Sequence, residues 1–155
     1  TIEDDIEAHL LVEVDGNDFD ALHKDMEAIA SIAEQYEIGE VLFADSAAQK
    51  NELFKLRRKI NEAVRATTIS KEQDTVIPRA ELPKLMHGVK ELGKQYNFKS
   101  VCYGHAGDGN LHIRLIKGEL TDEQWDGEYM RNVIAQLFAV CKKLGGTISG
   151  EHGIG

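Results

Sequence analysis

The sequence predicts an α+β domain built on an antiparallel sheet. Two observations carry this. From Asp74 onward, apolar runs and helix-period stripes follow the order strand, helix, strand, strand, helix, and a glycine-dense reversal joins the two central runs. A short run at Thr147-Ile148 would complete β-α-β-β-α-β, a ferredoxin-like layer with helices on one face of the sheet. Residues 1–70 give strand, helix, strand, helix, so a duplicated unit is expected, with subdomains 1–70 and 71–155.

Leu10-Leu11-Val12-Glu13-Val14, followed by Asp15-Gly16, predicts a strand ending in a turn. Phe19, Leu22, Met26, Ile29, Ala33 and Tyr36 recur at steps of three and four, one face of a helix that Gly39 would stop. Val41 to Ala44 is a second expected strand. Ser46 opens the next helix with Gln49 as capping-box partner, and Leu53, Leu56, Ile60 and Val64 form its stripe. Asp74 to Ile77 is a short strand ended by Pro78. The following helix carries Leu82, Leu85, Val89, Leu92 and Tyr96, with Pro83 tolerated in its first turn. Lys99 to Tyr103 and Leu111 to Ile116 are strands, reversed through Gly104, Gly107, Asp108, Gly109 and Asn110. One long helix starts at Thr121, capped with Gln124, and turns Trp125, Tyr129, Val133, Leu137 and Val140 inward. Lys142, Lys143 and Gly145 end it.

With 42% hydrophobic and 29% charged residues, the 155-residue chain can fill a core and is not a disordered segment. Its net charge of −9 repels a phosphate backbone and leaves no polybasic patch for an anionic membrane, so nucleic acid and membrane are not expected partners. No apolar run approaches the roughly 20 residues of a membrane span, and no signal-peptide pattern opens the chain. Cys102 and Cys141 form no CxxC pattern and fit buried small hydrophobes in a reducing, cytoplasmic compartment. The chain opens on Thr1 and stops inside a glycine-rich motif, which reads as a piece of a longer protein. P-loop, dinucleotide, GxSxG and HExxH signatures are all missing from it.

The dense cluster is Gly104-His105-Ala106-Gly107-Asp108-Gly109-Asn110-Leu111-His112. If the glycines reverse the chain, His105 and His112 flank a hairpin, and paired ladder positions bring Cβ atoms to about 4.5–5.5 Å. Two imidazoles that close can share a cation, with metal–nitrogen distances of roughly 2.0–2.1 Å for zinc. Gly107 and Gly109 allow positive φ and leave room for another molecule. A Gly/Asp hairpin whose histidines merely hydrogen-bond is the alternative. In the second cluster, Gly145 to Gly155, an adjacent Glu151-His152 pair sits among glycines. Either it is a helix cap and connection, or Glu151 completes a His/His/carboxylate set that leaves the cation an open position.

The two motifs, in this order, resemble the C-terminal domain of FAD-linked oxidases. These are the glycolate oxidase D-subunit, D-lactate dehydrogenase and D-2-hydroxyglutarate dehydrogenase group of the vanillyl-alcohol-oxidase-like flavoproteins. Leu11 to Gly16, Leu56-Arg57-Arg58 and Asp74-Thr75-Val76-Ile77-Pro78 extend the likeness over nearly the whole chain. The resemblance implies a duplicated ferredoxin-like domain covering a flavin that a separate, here absent, FAD-binding domain holds. It further implies His105, His112 and Glu151 as ligands of a divalent zinc, manganese or iron ion, His152 as general base, and Arg57 as a substrate-carboxylate anchor, with Arg58 competing. Asp108 and Asn110 match the motif; Asn110 is grouped with Gly107 and Gly109 on the cofactor side. Arg114 stands where some relatives carry Asn, and would be a second anion anchor or an outward-facing residue. Lys71 falls near a lysine seen in some relatives.

The expected reaction is oxidation of a D-2-hydroxy acid to the 2-oxo acid by hydride transfer to FAD, with an unidentified electron acceptor. The fragment alone is expected to be inactive, with weak metal occupancy, and an apolar docking surface could let it dimerise. The rival classes are a non-catalytic ferredoxin-like binding or dimerisation module and, more remotely, a flavin-free metal hydrolase.

Overall fold

The computed structural model describes residue 6 and residues 8–150; Glu151 and His152 lie outside them. The chain divides into two compact units, 1–55 and 56–155, and the division falls inside a helix.

Among the described residues of the first unit the regular structure is helical. Helix α1 spans Phe19–Ala33, opened by Asp18, whose side chain accepts from the backbone N–H of Asp20 and Ala21. The predicted stripe keeps Leu22, Met26, Ile29 and Ala33 partly buried, whereas Phe19 and Tyr36 are exposed. Helix α2, Ala47–Thr67, starts where expected: Ser46 Oγ accepts from Gln49 N–H at 3.4 Å and Gln49 Oε1 accepts from the N–H of Asp45 at 3.2 Å. The strands expected at Leu10–Val14 and Val41–Ala44 are not formed, and with them no second sheet among the described residues. An apolar run becomes a strand only when another strand takes up its N–H and C=O groups, and an isolated two-stranded ribbon is marginal in water.

The second unit holds the sheet. Strand β1 is Ser70–Val76, β2 Lys99–His105 and β3 Asn110–Ile116, ordered β1-β3-β2 and antiparallel throughout. A single antiparallel bridge, Val76 to Thr147, puts the expected last strand beside β1. The result is the ferredoxin-like order 4-1-3-2, with the fourth position reduced to that bridge. Helix α3, Leu82–Tyr96, has Pro83 in its first turn and ends at Asn97 in the left-handed region (φ 53°).

The long helix expected from Thr121 is two helices, α4 Asp122–Asp126 and α5 Glu128–Lys143, parted at Gly127 with extended backbone. Thr121 and Gln124 make the full capping box at the start of α4. Periodicity hides this break because Trp125, Tyr129 and Val133 keep helical spacing across it; Asp126-Gly127 was the turn signal.

Leu111, Ile113 and Leu115 point from β3 toward the helices. They join Leu85, Val89 and Leu92 of α3 and Met130, Val133, Leu137 and Cys141 of α5 in one buried cluster. Leu56, predicted in the α2 stripe, is 53% exposed, whereas Leu85 is 0% exposed. Leu85→Ala is therefore expected to cost about 2–5 kcal/mol. Leu56→Ala should stay within about 0.5 kcal/mol; thermal denaturation of the two variants checks the contrast.

Candidate functional site

Residues of even number in β1 and β3 turn to the sheet face away from that core. The ladder sets Glu72 against Arg114, Asp74 against His112 and Val76 against Asn110, and from the other side Tyr103 against His112 and His105 against Asn110. This face is polar yet enclosed: Asn110, His112 and Arg114 are 4%, 7% and 7% exposed. An alternating strand normally wets its polar side. Here neighbouring strands supply the partners instead.

Arg114 is tied down on several sides. Its Nη1 donates to Ser70 Oγ at 3.0 Å, its Nη2 to Tyr103 Oη at 2.9 Å, and it forms an ion pair with Glu72. Tyr103 Oη in turn donates to Glu72 Oε2 at 2.6 Å. Burial pulls the Arg114 guanidinium below its usual pKa, with the Arg65 charge of α2 adding to the effect, and burial lifts that of the Tyr103 phenol. Arg114 thus does not project outward, and both its Nη atoms are engaged within the sheet face.

His112 stacks on Tyr103, with ring centroids 5.4 Å apart and planes at 20°. Its Nδ1 lies 3.3 Å from Glu72 Oε1 and 3.9 Å from Asp74 Oδ1. His105 is exposed at the end of β2 and pairs with Asn110, so it is diagonal to His112 and not its ladder partner as the hairpin reading expected. The intervening residues reverse through a 3-10 turn, Ala106–Asp108, which shifts the register by two. The imidazoles still share one face, and diagonal neighbours lie about 7–8 Å apart, within reach of long side chains.

The glycines of the tip have different duties. Gly109 adopts φ 73°, and its carbonyl accepts from the N–H of Ile77 at 3.0 Å; a Cβ there would sit 2.0 Å from the Ile77 carbonyl oxygen. Gly107 is exposed, and a Cβ on it would meet no atom within 4 Å. Asn110 Nδ2 donates to Asp74 Oδ1 at 2.7 Å and to the Thr75 carbonyl at 3.3 Å.

The C-terminal motif reaches the same face. Thr147 is bridged to Val76, and Gly150 N–H donates to Asp74 Oδ2 at 2.9 Å. The backbone one residue ahead of Glu151 is thus fixed beside the ladder partner of His112. Arg57 and Arg58 are exposed on α2, and Lys71 donates to the Trp125 carbonyl and pairs with Asp126. Among the described residues no three His, Cys, Asp or Glu side chains form a metal cage. The sequence reading places Asp74 and Tyr103 in strands and not in the site, and does not single out Glu72; the equal parity of Glu72 and Asp74 on β1 was the signal. Both cysteines are free, and burial pushes the Cys102 thiol up to about 11.

Residues 1–155 match the family described as FAD linked oxidases, C-terminal domain. The chain belongs to that family. This FAD-linked oxidase C-terminal domain is 32% identical over 155 residues to the D-lactate dehydrogenase of Anaerostipes hadrus, covering 97% of this chain and 32% of that protein. To the glycolate oxidase subunit GlcD of Bacillus subtilis it is 32% identical over 154 residues, 96% of this chain and 31% of that one. To the D-2-hydroxyglutarate dehydrogenase of Stutzerimonas stutzeri it is 31% identical over 134 residues, 83% and 29% of the two chains. The FAD-linked oxidase C-terminal domain thus spans about a third of the length of these curated relatives. Among its described residues no helix is long and apolar enough to cross a membrane.

Proposed function

We propose that the chain is the substrate- and metal-binding part of a flavin-dependent oxidoreductase that oxidises a D-2-hydroxy acid, of lactate, glycolate or 2-hydroxyglutarate type, to the 2-oxo acid. One observation carries this: His105 and His112 share a sheet face onto which the backbone leading to Glu151 is hydrogen-bonded. Two imidazoles and an incoming carboxylate fit a divalent cation, and Glu72 Oε1, 3.3 Å from His112 Nδ1, favours a proton there and leaves Nε2 for the cation. His105, His112 and Glu151 would hold it, with zinc, manganese and iron all suited to this donor set. When bound, FAD accepts the hydride and the cation polarises the substrate hydroxyl.

The chain's own residues do the rest. His152 takes the hydroxyl proton, the general-base work that imidazole side chains do most often. Arg57 fixes the substrate carboxylate with two parallel hydrogen bonds, setting distance and angle for transfer. Arg114, whose Nη atoms are engaged, offers its Nε–H, which has no hydrogen-bond partner among the described residues. Asn110 Oδ1, buried and likewise without a partner among the described residues, would accept from a flavin or substrate donor, and open Gly107 would leave room for the cofactor.

Full-length flavoprotein offered D-lactate, glycolate and D-2-hydroxyglutarate under anaerobic conditions should bleach its flavin absorbance with one or more of them. Elemental analysis should find a divalent cation. Flavin that stays oxidised with all three, in protein free of metal, overturns the proposal.

A further inference from the structure

Asp74 occupies an unusual crossing point. Its side chain is 8% exposed. One carboxylate oxygen accepts from Asn110 Nδ2 at 2.7 Å and the other from Gly150 N–H at 2.9 Å. It therefore ties three pieces of chain together: β1, the first residue of β3, and the C-terminal loop. Two residues further along β1, Val76 exchanges backbone hydrogen bonds with Thr147 at 2.7 and 3.2 Å, so the loop is held at two points of β1, by the Val76 backbone and the Asp74 side chain. Gly150 fits closely. A Cβ on it would lie 2.6 Å from Asn110 Nδ2 and 2.8 Å from Asp74 Oδ1.

We infer that Asp74 is a positioning residue: its carboxylate latches the C-terminal loop at Gly150 onto the imidazole face, and so fixes the backbone from which Glu151 and His152 follow in sequence. The inference rests on the metal and base roles proposed above, but the latch itself is a property of the chain without any bound group. An ionised carboxylate suits the task because it is an acceptor at both oxygens, and bonds from N–H donors to a charged acceptor are the stronger kind. Asn at this position would keep the shape and present an NH2 group to one of the two donors.

The test uses the full-length flavoprotein in two forms, metal-depleted and metal-loaded. In the depleted form, amide hydrogen exchange of residues 147–150 should quicken at least about tenfold in Asp74→Asn relative to the parent, with β2 and α3 unchanged. Gly150→Ala, which leaves Asp74 intact and crowds its carboxylate, should give the same local effect and serves if the Asp74 variant does not fold. In the loaded form, zinc or manganese affinity measured by chelator competition should fall about 10–100-fold, the usual consequence of losing an outer partner of a metal site. Unchanged exchange in both variants overturns the latch. Faster exchange in a protein whose parent binds neither metal upholds the latch and sinks the metal proposal instead, so the two failures are distinct.

Discussion

Full-length flavoprotein carrying His152→Ala is expected to turn over about 10²–10⁴-fold more slowly, the range for losing a general base, while retaining its divalent cation. The proposed function gives the two neighbours, Glu151 and His152, different work, which calls for side chains free to diverge. Gly150 and Gly153 on either side of the pair allow that divergence. Gly150 bonds to Asp74 through its own N–H, an attachment that uses no atom of His152. Elemental analysis beside steady-state kinetics separates the duties. Turnover and metal content falling together would mean that His152 is a ligand and not the base.

Gly109→Ala and Gly107→Ala, two residues apart on one turn, should behave oppositely. At position 109 the methyl meets a positive φ and the Ile77 carbonyl oxygen at 2.0 Å. Left-handed strain of roughly 1–2 kcal/mol and overpacking of about 1–3 kcal/mol combine to a loss of about 2–5 kcal/mol. At position 107 nothing lies within 4 Å, and the change should stay within about 0.5 kcal/mol of the parent. Any penalty there should show in KM or flavin reduction instead of melting temperature, because open space at the tip is space for another molecule. Equal destabilisation of both variants, by thermal denaturation, would contradict this division of labour between the two glycines.

Much of the second unit was legible because its signals are local. The Thr121/Gln124 cap, Pro83 in the first turn of α3, and Lys142 and Lys143 ahead of Gly145 all work within a few residues of each other. The strands expected in the first unit failed for the converse reason. Leu10–Val14 and Val41–Ala44 have the apolar content of strands, but pairing is decided by whatever lies alongside, not by the run itself. The candidate site was half legible. Glycine density marked the tip and the C-terminal loop, and both meet at Asp74. The enclosure of Asn110, His112 and Arg114 was hidden, because the alternation of β3 reads as one wet face. Glu72, Asp74 and Ser70, which share that face, sit dozens of positions upstream, and only the register reveals the pairing.

The bond between Arg114 and Glu72 makes those two positions inseparable in any redesign. A neutral amide at 114 alone would strand a carboxylate that keeps only part of its contact with water, and a neutral residue at 72 alone would strand a guanidinium beside Tyr103. Either step by itself passes through a weakened intermediate, whereas exchanging both removes the opposing charges at once. Replacing this pair is therefore a two-letter change, and lineages or libraries that sample one letter at a time would meet a barrier between the two solutions.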